Sequence, residues 1–168
     1  VGEEATGTWC GWCPRGMVGM EYMEEEYGEE WIGIAVHNND PMTNDDYDSW
    51  MGNQVSGYPS GLLDREASID PASATLEANF LNAIEKFAHA SIDVMPLIDE
   101  NNEVEIRIDV KFAMDMEEDM SVAAMLVEDG LSGTGNDWNQ SNYYSGGGSG
   151  LRVTPSFGIT CSIISRLA

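Results

Sequence analysis

The run "TGTWCGWCPRG" at residues 6–16 constrains this chain most, because two cysteines three apart are followed at once by a proline. Proline is tolerated in the first turn of an α-helix, where its missing N–H has no intrahelical partner, so Pro14 predicts a helix start. Met17, Met20, Met23 and Tyr27 then recur at helical spacing up to Gly28, a residue suited to a C-cap. Ahead of the cysteines, residues 3–9 predict a short strand. A cysteine pair at such a junction lies at the positive end of a helix dipole, which favours a thiolate on Cys10 and makes it nucleophilic at neutral pH. Arg15 adds positive charge nearby. Three chemistries share the spacing: a redox-active dithiol, an inert structural disulfide and half of a zinc site. The zinc reading lacks a second CxxC, and the third cysteine, Cys161, stands alone.

Residues 1–90 continue in α/β fashion. In residues 31–37, Ile32, Ile34 and Val36 alternate with Gly33 and Ala35, the pattern of a buried strand. Asn, Asp and Thr caps precede a short helix over about 44–55, and residues 57–66 form a turn into a short strand. Asp70 is expected as N-cap and Pro71 as the first residue of a helix with Leu76, Phe80, Ile84 and Phe87 as its apolar stripe. After Ser91 the period changes to two. Val104, Ile106, Ile108, Val110, Phe112 and Met114 alternate with polar residues, predicting a long strand with one buried and one wet face. Residues 91–99 and 121–129 are its expected antiparallel neighbours, with Asn101-Asn102 in the first turn. A Gly-, Ser- and Asn-rich loop follows from Gly130, and no internal repeat or heptad pattern is present. The expected fold class is therefore α/β: one unit over 1–90 and a smaller antiparallel β-rich, partly sandwich-like unit over 91–168, which three strands alone leave incomplete.

Charge excludes whole classes of partner. With 7 basic against 30 acidic residues and a formal charge of -23, the chain has no footprint for nucleic acid or anionic lipid. No run of eighteen apolar residues is long enough to span a bilayer. The chain opens at Val1 inside a predicted strand, so an upstream segment is expected. All the acidic residues precede position 151, which sets "LRVTPSFGITCSIISRLA" apart. That tail is expected either to add a strand against residues 103–127 or to be foreign to the domain.

"WCGWCPRG" between a strand and a helix, then alternating β and α segments, then "GYP" before a strand, resembles the thioredoxin superfamily. The resemblance implies a thioredoxin-like fold in which a cis Pro59 faces the cysteine pair and the backbone of Tyr58 aligns a substrate strand. It also implies that Glu4, six residues before Cys10, is a buried acid serving as proton acceptor for Cys13. Gly-Trp replaces the superfamily's Gly-Pro between the cysteines, and the antiparallel strand after "GLLDRE" is weak in sequence. Over most of residues 1–148, "EEATGTWCGWCPRGMVGMEYM", "IGIAVHNNDPM", "GYPSGLLDR" and "WNQSNYYSGG" are similar to the outer membrane protein 28-related family, envelope lipoproteins of Gram-negative bacteria. That likeness implies a β-rich second domain, export, and a periplasmic or outer-membrane location through a lipid anchor outside this chain.

The expected function is an extracytoplasmic thiol:disulfide oxidoreductase without cofactor or metal, acting on protein or peptide thiols and disulfides. Cys10 attacks and Cys13 resolves, while an exposed Trp12 offers an apolar platform. The competing expectation is a surface-binding or adhesion lipoprotein that uses the same fold as scaffold. Trp9 reads equally well as half-buried packing, and His37 as a loop-ordering residue. Asp40, Asp45, Asp46 and Asp48 lack the spacing of a calcium loop and read as helix caps. Asn139-Gln140-Ser141 spells a glycosylation sequon.

Overall fold

The computed structural model describes residues 1–101, 103–116, 122 and 124–144. The chain is a mixed α/β protein with a four-stranded sheet and a separate two-stranded one. The first part runs β1 (Gly2–Thr6), α1 (Pro14–Tyr27), β2 (Gly33–His37), α2 (Asp45–Gly52), β3 (Ser60–Leu63), β4 (Ser68–Ile69) and α3 (Ser73–Ile84). Sheet order is β2-β1-β3-β4, with β1 parallel to β2 and antiparallel to β3. Parallel neighbours need a crossover connection, which α1 supplies.

All five residues of β1 are buried, as expected of an interior strand covered on both faces. On one side Ala5, Ile34, Val36, Met51 and Leu62 form a core beneath α2. On the other, Met20, Met23, Trp31, Leu63, Leu76 and Phe80 join α1 and α3 to the sheet. Leu62 and Leu63 serve opposite cores because successive strand side chains alternate faces. α1 approaches the lead-in to α3 closely: a Cβ at Gly19 would lie 2.0 Å from the Pro71 carbonyl oxygen. Gly28 ends α1 at φ +48° and donates its N–H to the Glu24 carbonyl, as its expected capping role requires.

Several boundaries differ from expectation for identifiable reasons. β1 stops at Thr6, not at residue 9, because the chain turns there and Cys10 donates to the Gly7 carbonyl. Asp70 is not the N-cap of α3; its carboxylate accepts from Ala72 N at 3.0 Å in a local turn, and the helix begins at Ser73. Pro71 is fully buried against α1 instead of opening the helix. Of the predicted stripe only Leu76 and Phe80 are buried. Ile84, the last residue of α3, is 54% exposed, and Phe87, beyond its end, is 61% exposed. The weak strand after "GLLDRE" is the two-residue β4, antiparallel to β3.

The period-two region gives a hairpin of β5 (Ala90–Ile98) and β6 (Val104–Phe112), paired in register from Ala90↔Phe112 to Ile98↔Val104. Asp99 holds its turn by accepting from the N–H groups of Asn101 and Glu103. Ile106, Ile108 and Val110 are half-buried, but the outer positions of the same face, Val104 and Phe112, are largely exposed. Residues 124–130 are not a third strand of this hairpin. Instead, Met125 and Val127 pack on the core beneath α2. An eight-residue helix is only about 12 Å long and leaves part of a sheet face for other side chains to cover. Residues 121 and 123 and the acid-free tail with Cys161 lie outside the described residues.

Glu3 enters the α2-side core as a charge. Its side chain is fully buried and accepts from Tyr47 Oη and from Arg65, whose Nη2 lies 3.0 Å away. The Arg65 guanidinium also sits 4.1 Å from the Trp50 ring centroid. Burial, and then hydrogen bonding to Glu3, pushes the Tyr47 hydroxyl far above its ordinary pKa. Removing one partner of a buried pair strands the other charge, so Arg65→Met is expected to cost about 3–5 kcal/mol in urea denaturation. Lys111→Met, which breaks an exposed pair with Asp93, should cost less than about 1 kcal/mol. Equal effects of the two substitutions would contradict the buried role of Arg65.

Candidate redox site around Cys10 and Cys13

The loop from Gly7 to Cys13 links the end of β1 to the start of α1, and its own backbone folds it into consecutive turns. Gly7 O accepts from Cys10 N at 2.9 Å, and Cys10 O from Cys13 N at 3.2 Å. Cys13 is the N-cap of α1; its carbonyl accepts from Gly16 N and Met17 N. Pro14 thus occupies the first helical position. Cys10 and Cys13 form a disulfide with a Cα–Cα separation of 5.4 Å.

A nucleophilic Cys10 at a helix terminus is expected to stand exposed there, with Cys13 as the resolving partner behind it; the structure corrects this, since Cys10 is 4% exposed and Cys13 is fully buried. The cover comes from far along the chain. Ser141 N donates to Thr8 O at 2.7 Å and Tyr143 N to Gly11 O at 2.9 Å, while Gln140 Nε2 donates to Cys10 O at 2.9 Å. Trp12 is 55% exposed yet meets the rings of Tyr143 and Tyr144 edge-on, at centroid distances of 5.3 and 5.5 Å. These covering residues were missed from sequence. Their only signal is two adjacent tyrosines in a Gly-, Ser- and Asn-rich loop, aromatic surface with nothing local to pack on.

Arg15 does not offer its charge to Cys10 alone, since its guanidinium pairs with Asp70 at 3.1 Å. Trp9, 46% exposed, donates from Nε1 to Asn38 O at 2.7 Å and packs edge-on to Tyr58 at 5.4 Å. The Tyr58-Pro59 peptide bond is cis, as expected. Because Ser60 pairs with Ala5, the adjoining Pro59 lies at the end of β1 from which the cysteine loop departs. Asp40 ties the other flank: its carboxylate accepts from Thr8 N and Met42 N and contacts His37 Nδ1 at 2.7 Å. His37 therefore orders this loop. Asp48 accepts from Asn38 Nδ2, and Asn44 caps α2.

Glu4 faces the opposite side of β1 from Glu3. It is 1% exposed, and its Oε1 has no hydrogen-bond partner. Desolvation holds its carboxyl pKa well above the ordinary 4.5, against a smaller lowering by Thr6. The carboxyl reaches the first turn of α1 through Gly16, where a Cβ would come within 2.2 Å of Oε1. That residue is one turn from Cys13. A cavity of about 20 Å³, lined by Glu4, Met20, Glu24, Gly33 and Ala35, lies between the buried carboxyl and the exposed Glu24. The structure thus brings Cys10, Cys13, Glu4, Trp12, Tyr58 and Pro59 to the neighbourhood of one sheet end.

No family model, curated protein or solved structure matches the chain.

The raised Glu4 pKa has a defined effect on stability. The native state binds this proton more tightly than the unfolded chain does, so its contribution is intact below about pH 4.5 and lost as pH rises through the raised value. Denaturant unfolding across this range should show Glu4→Gln gaining stability relative to wild type as pH increases, with a slope of at most about 1.4 kcal/mol per pH unit. A difference between the two proteins that is flat in pH would contradict a protonated Glu4.

Proposed function

We propose that this protein is an extracytoplasmic thiol:disulfide oxidoreductase of thioredoxin-like fold that exchanges disulfides with protein or peptide substrates through Cys10 and Cys13. The observation that carries the proposal is the pairing of a disulfide at the N-terminus of α1 with a buried carboxyl one turn away whose Oε1 has no hydrogen-bond partner. A purely structural disulfide has no use for such a group, whose burial is costly. The cis bond before Pro59 and the βαβ arrangement support the thioredoxin-like assignment. The cell-envelope location rests on the sequence resemblance to the outer membrane protein 28-related family.

In the oxidising direction a substrate thiolate attacks Cys10 Sγ, the Cys10–Cys13 bond breaks, and its electron pair leaves on Cys13 Sγ. Glu4 gives its proton to that thiolate and recovers one by way of the small cavity. A second substrate thiolate then attacks the substrate sulfur of the mixed disulfide and releases Cys10 as thiolate, so the substrate is oxidised and the pair reduced. In the reverse direction Cys10 attacks, and Glu4 accepts the proton of Cys13 as it resolves the mixed disulfide. Trp12 and Tyr58 supply the apolar and backbone contacts for a substrate chain.

A second reading, a binding or adhesion module on a thioredoxin-like scaffold, is favoured by the burial of both cysteines. Trapping separates the two. Cys13→Ser should accumulate mixed disulfides with reducible protein substrates and Cys10→Ser should not, as read on non-reducing gels after acid quench. Equal trapping by both variants, or by neither, would favour the scaffold reading.

A further inference from the structure

The segment 137–144 is hydrogen-bonded to the cysteine loop at several points. Four carbonyls of that loop accept from it: Gln140 Nε2 donates to Gly7 O at 3.4 Å and to Cys10 O at 2.9 Å, Ser141 N to Thr8 O, and Tyr143 N to Gly11 O. Thr8 Oγ1 closes the set by donating to Asp137 O at 2.8 Å. Gly11 is required for closure, because a Cβ there would lie 2.5 Å from the Tyr143 ring. No residue of 137–144 belongs to either hydrophobic core among the described residues. Trp138 turns onto Gly133 of its own loop. Detaching the segment therefore breaks a few hydrogen bonds and ring contacts without opening a core.

We propose that residues 137–144 are a strap that gates the Cys10–Cys13 disulfide, latched by Gln140, and that exchange at Cys10 proceeds only while the strap is displaced. This rests on the exchange activity proposed above. An attacking thiolate must approach Cys10 Sγ opposite Cys13 Sγ, and Cys10 is only 4% exposed in a loop whose carbonyls the strap engages. Opening exposes Cys10 while Cys13 stays in the first turn of α1. The gate thus reconciles a buried disulfide with a reactive one: the strap sets the rate at which the sulfurs are reached.

The test is the rate at which dithiothreitol reduces the oxidised full chain, read by maleimide trapping and mass spectrometry, with labelling at Cys161 as the background. Gln140→Glu keeps the side chain's shape but removes the donor, and Tyr143→Ala/Tyr144→Ala removes the ring contacts. Either variant should be reduced at least tenfold faster than wild type, with an unchanged urea unfolding midpoint. Wild-type rates in both variants would overturn the gate, as would acceleration only in proportion to lost global stability. If one variant fails to fold, the other carries the comparison. Acceleration with dithiothreitol but no mixed disulfide trapped by Cys13→Ser, even with the strap loosened, would retain the gate and refute the oxidoreductase function.

Discussion

The structure depends on the way two adjacent carboxyl groups are buried on one interior strand. β1 is covered on both faces, and Glu3 and Glu4 project from it in opposite directions. Glu3 remains a charge and is matched by Arg65, with Tyr47 as a second donor. Matching it draws together β1, the turn after β3 and α2, the last through Tyr47 and Trp50, so one ion pair fixes how three segments meet on that face. Glu4 has no ion-pair partner among the described residues. On its side the sheet meets α1 through Gly16, and burial pushes the carboxyl's pKa up instead. The two solutions differ in kind: the Glu3 carboxylate is matched by a guanidinium, and the Glu4 carboxyl is buried with its Oε1 unpartnered.

That asymmetry places the raised-pKa carboxyl on the side of β1 that faces the first turn of α1. The first turn of α1 reaches Cys13 at its cap and Glu4 at Gly16, so the strand, the loop and the helix present one local device rather than a site gathered from distant elements. Distant elements restrict it. Asp40 and Asn38 tether one flank of the loop, and residues 137–144 cover the disulfide. In the proposed gate, access to Cys10 is set by a segment held by a few hydrogen bonds to backbone carbonyls, each worth only about 1 kcal/mol net.

Local signals carried well from sequence. Pro14 and Gly28 delimit α1 as their backbone chemistry requires, and the alternation of Ile34 and Val36 places β2. Asp70-Pro71 misled because the same dipeptide suits a turn packed against another helix, and only the close approach at Gly19 decides between the two. Residues 124–129 carry strand-like composition but are drawn to an uncovered sheet face, a tertiary demand without periodic signature. The burial of Glu4 was foreshadowed by the superfamily resemblance, which places a buried acid at its offset from Cys10. Arg65 left a fainter trace as one of only two Lys or Arg residues before Lys86, the other being Arg15. The strap was illegible because hydrogen bonds from Gln140, Ser141 and Tyr143 to backbone carbonyls leave no residue pattern in the segment they cover.

The most direct test of the central claim is a carbon-13 NMR titration of the Glu4 carboxyl in the disulfide and dithiol forms of the protein. With the disulfide intact, the carboxyl should titrate well above the ordinary 4.5. In the dithiol form its titration should show two steps shared with Cys13, as coupled groups do. A single Glu4 titration near 4.5 in both forms, with Cys13 titrating independently, would contradict the assignment of Glu4 as the proton store of the site.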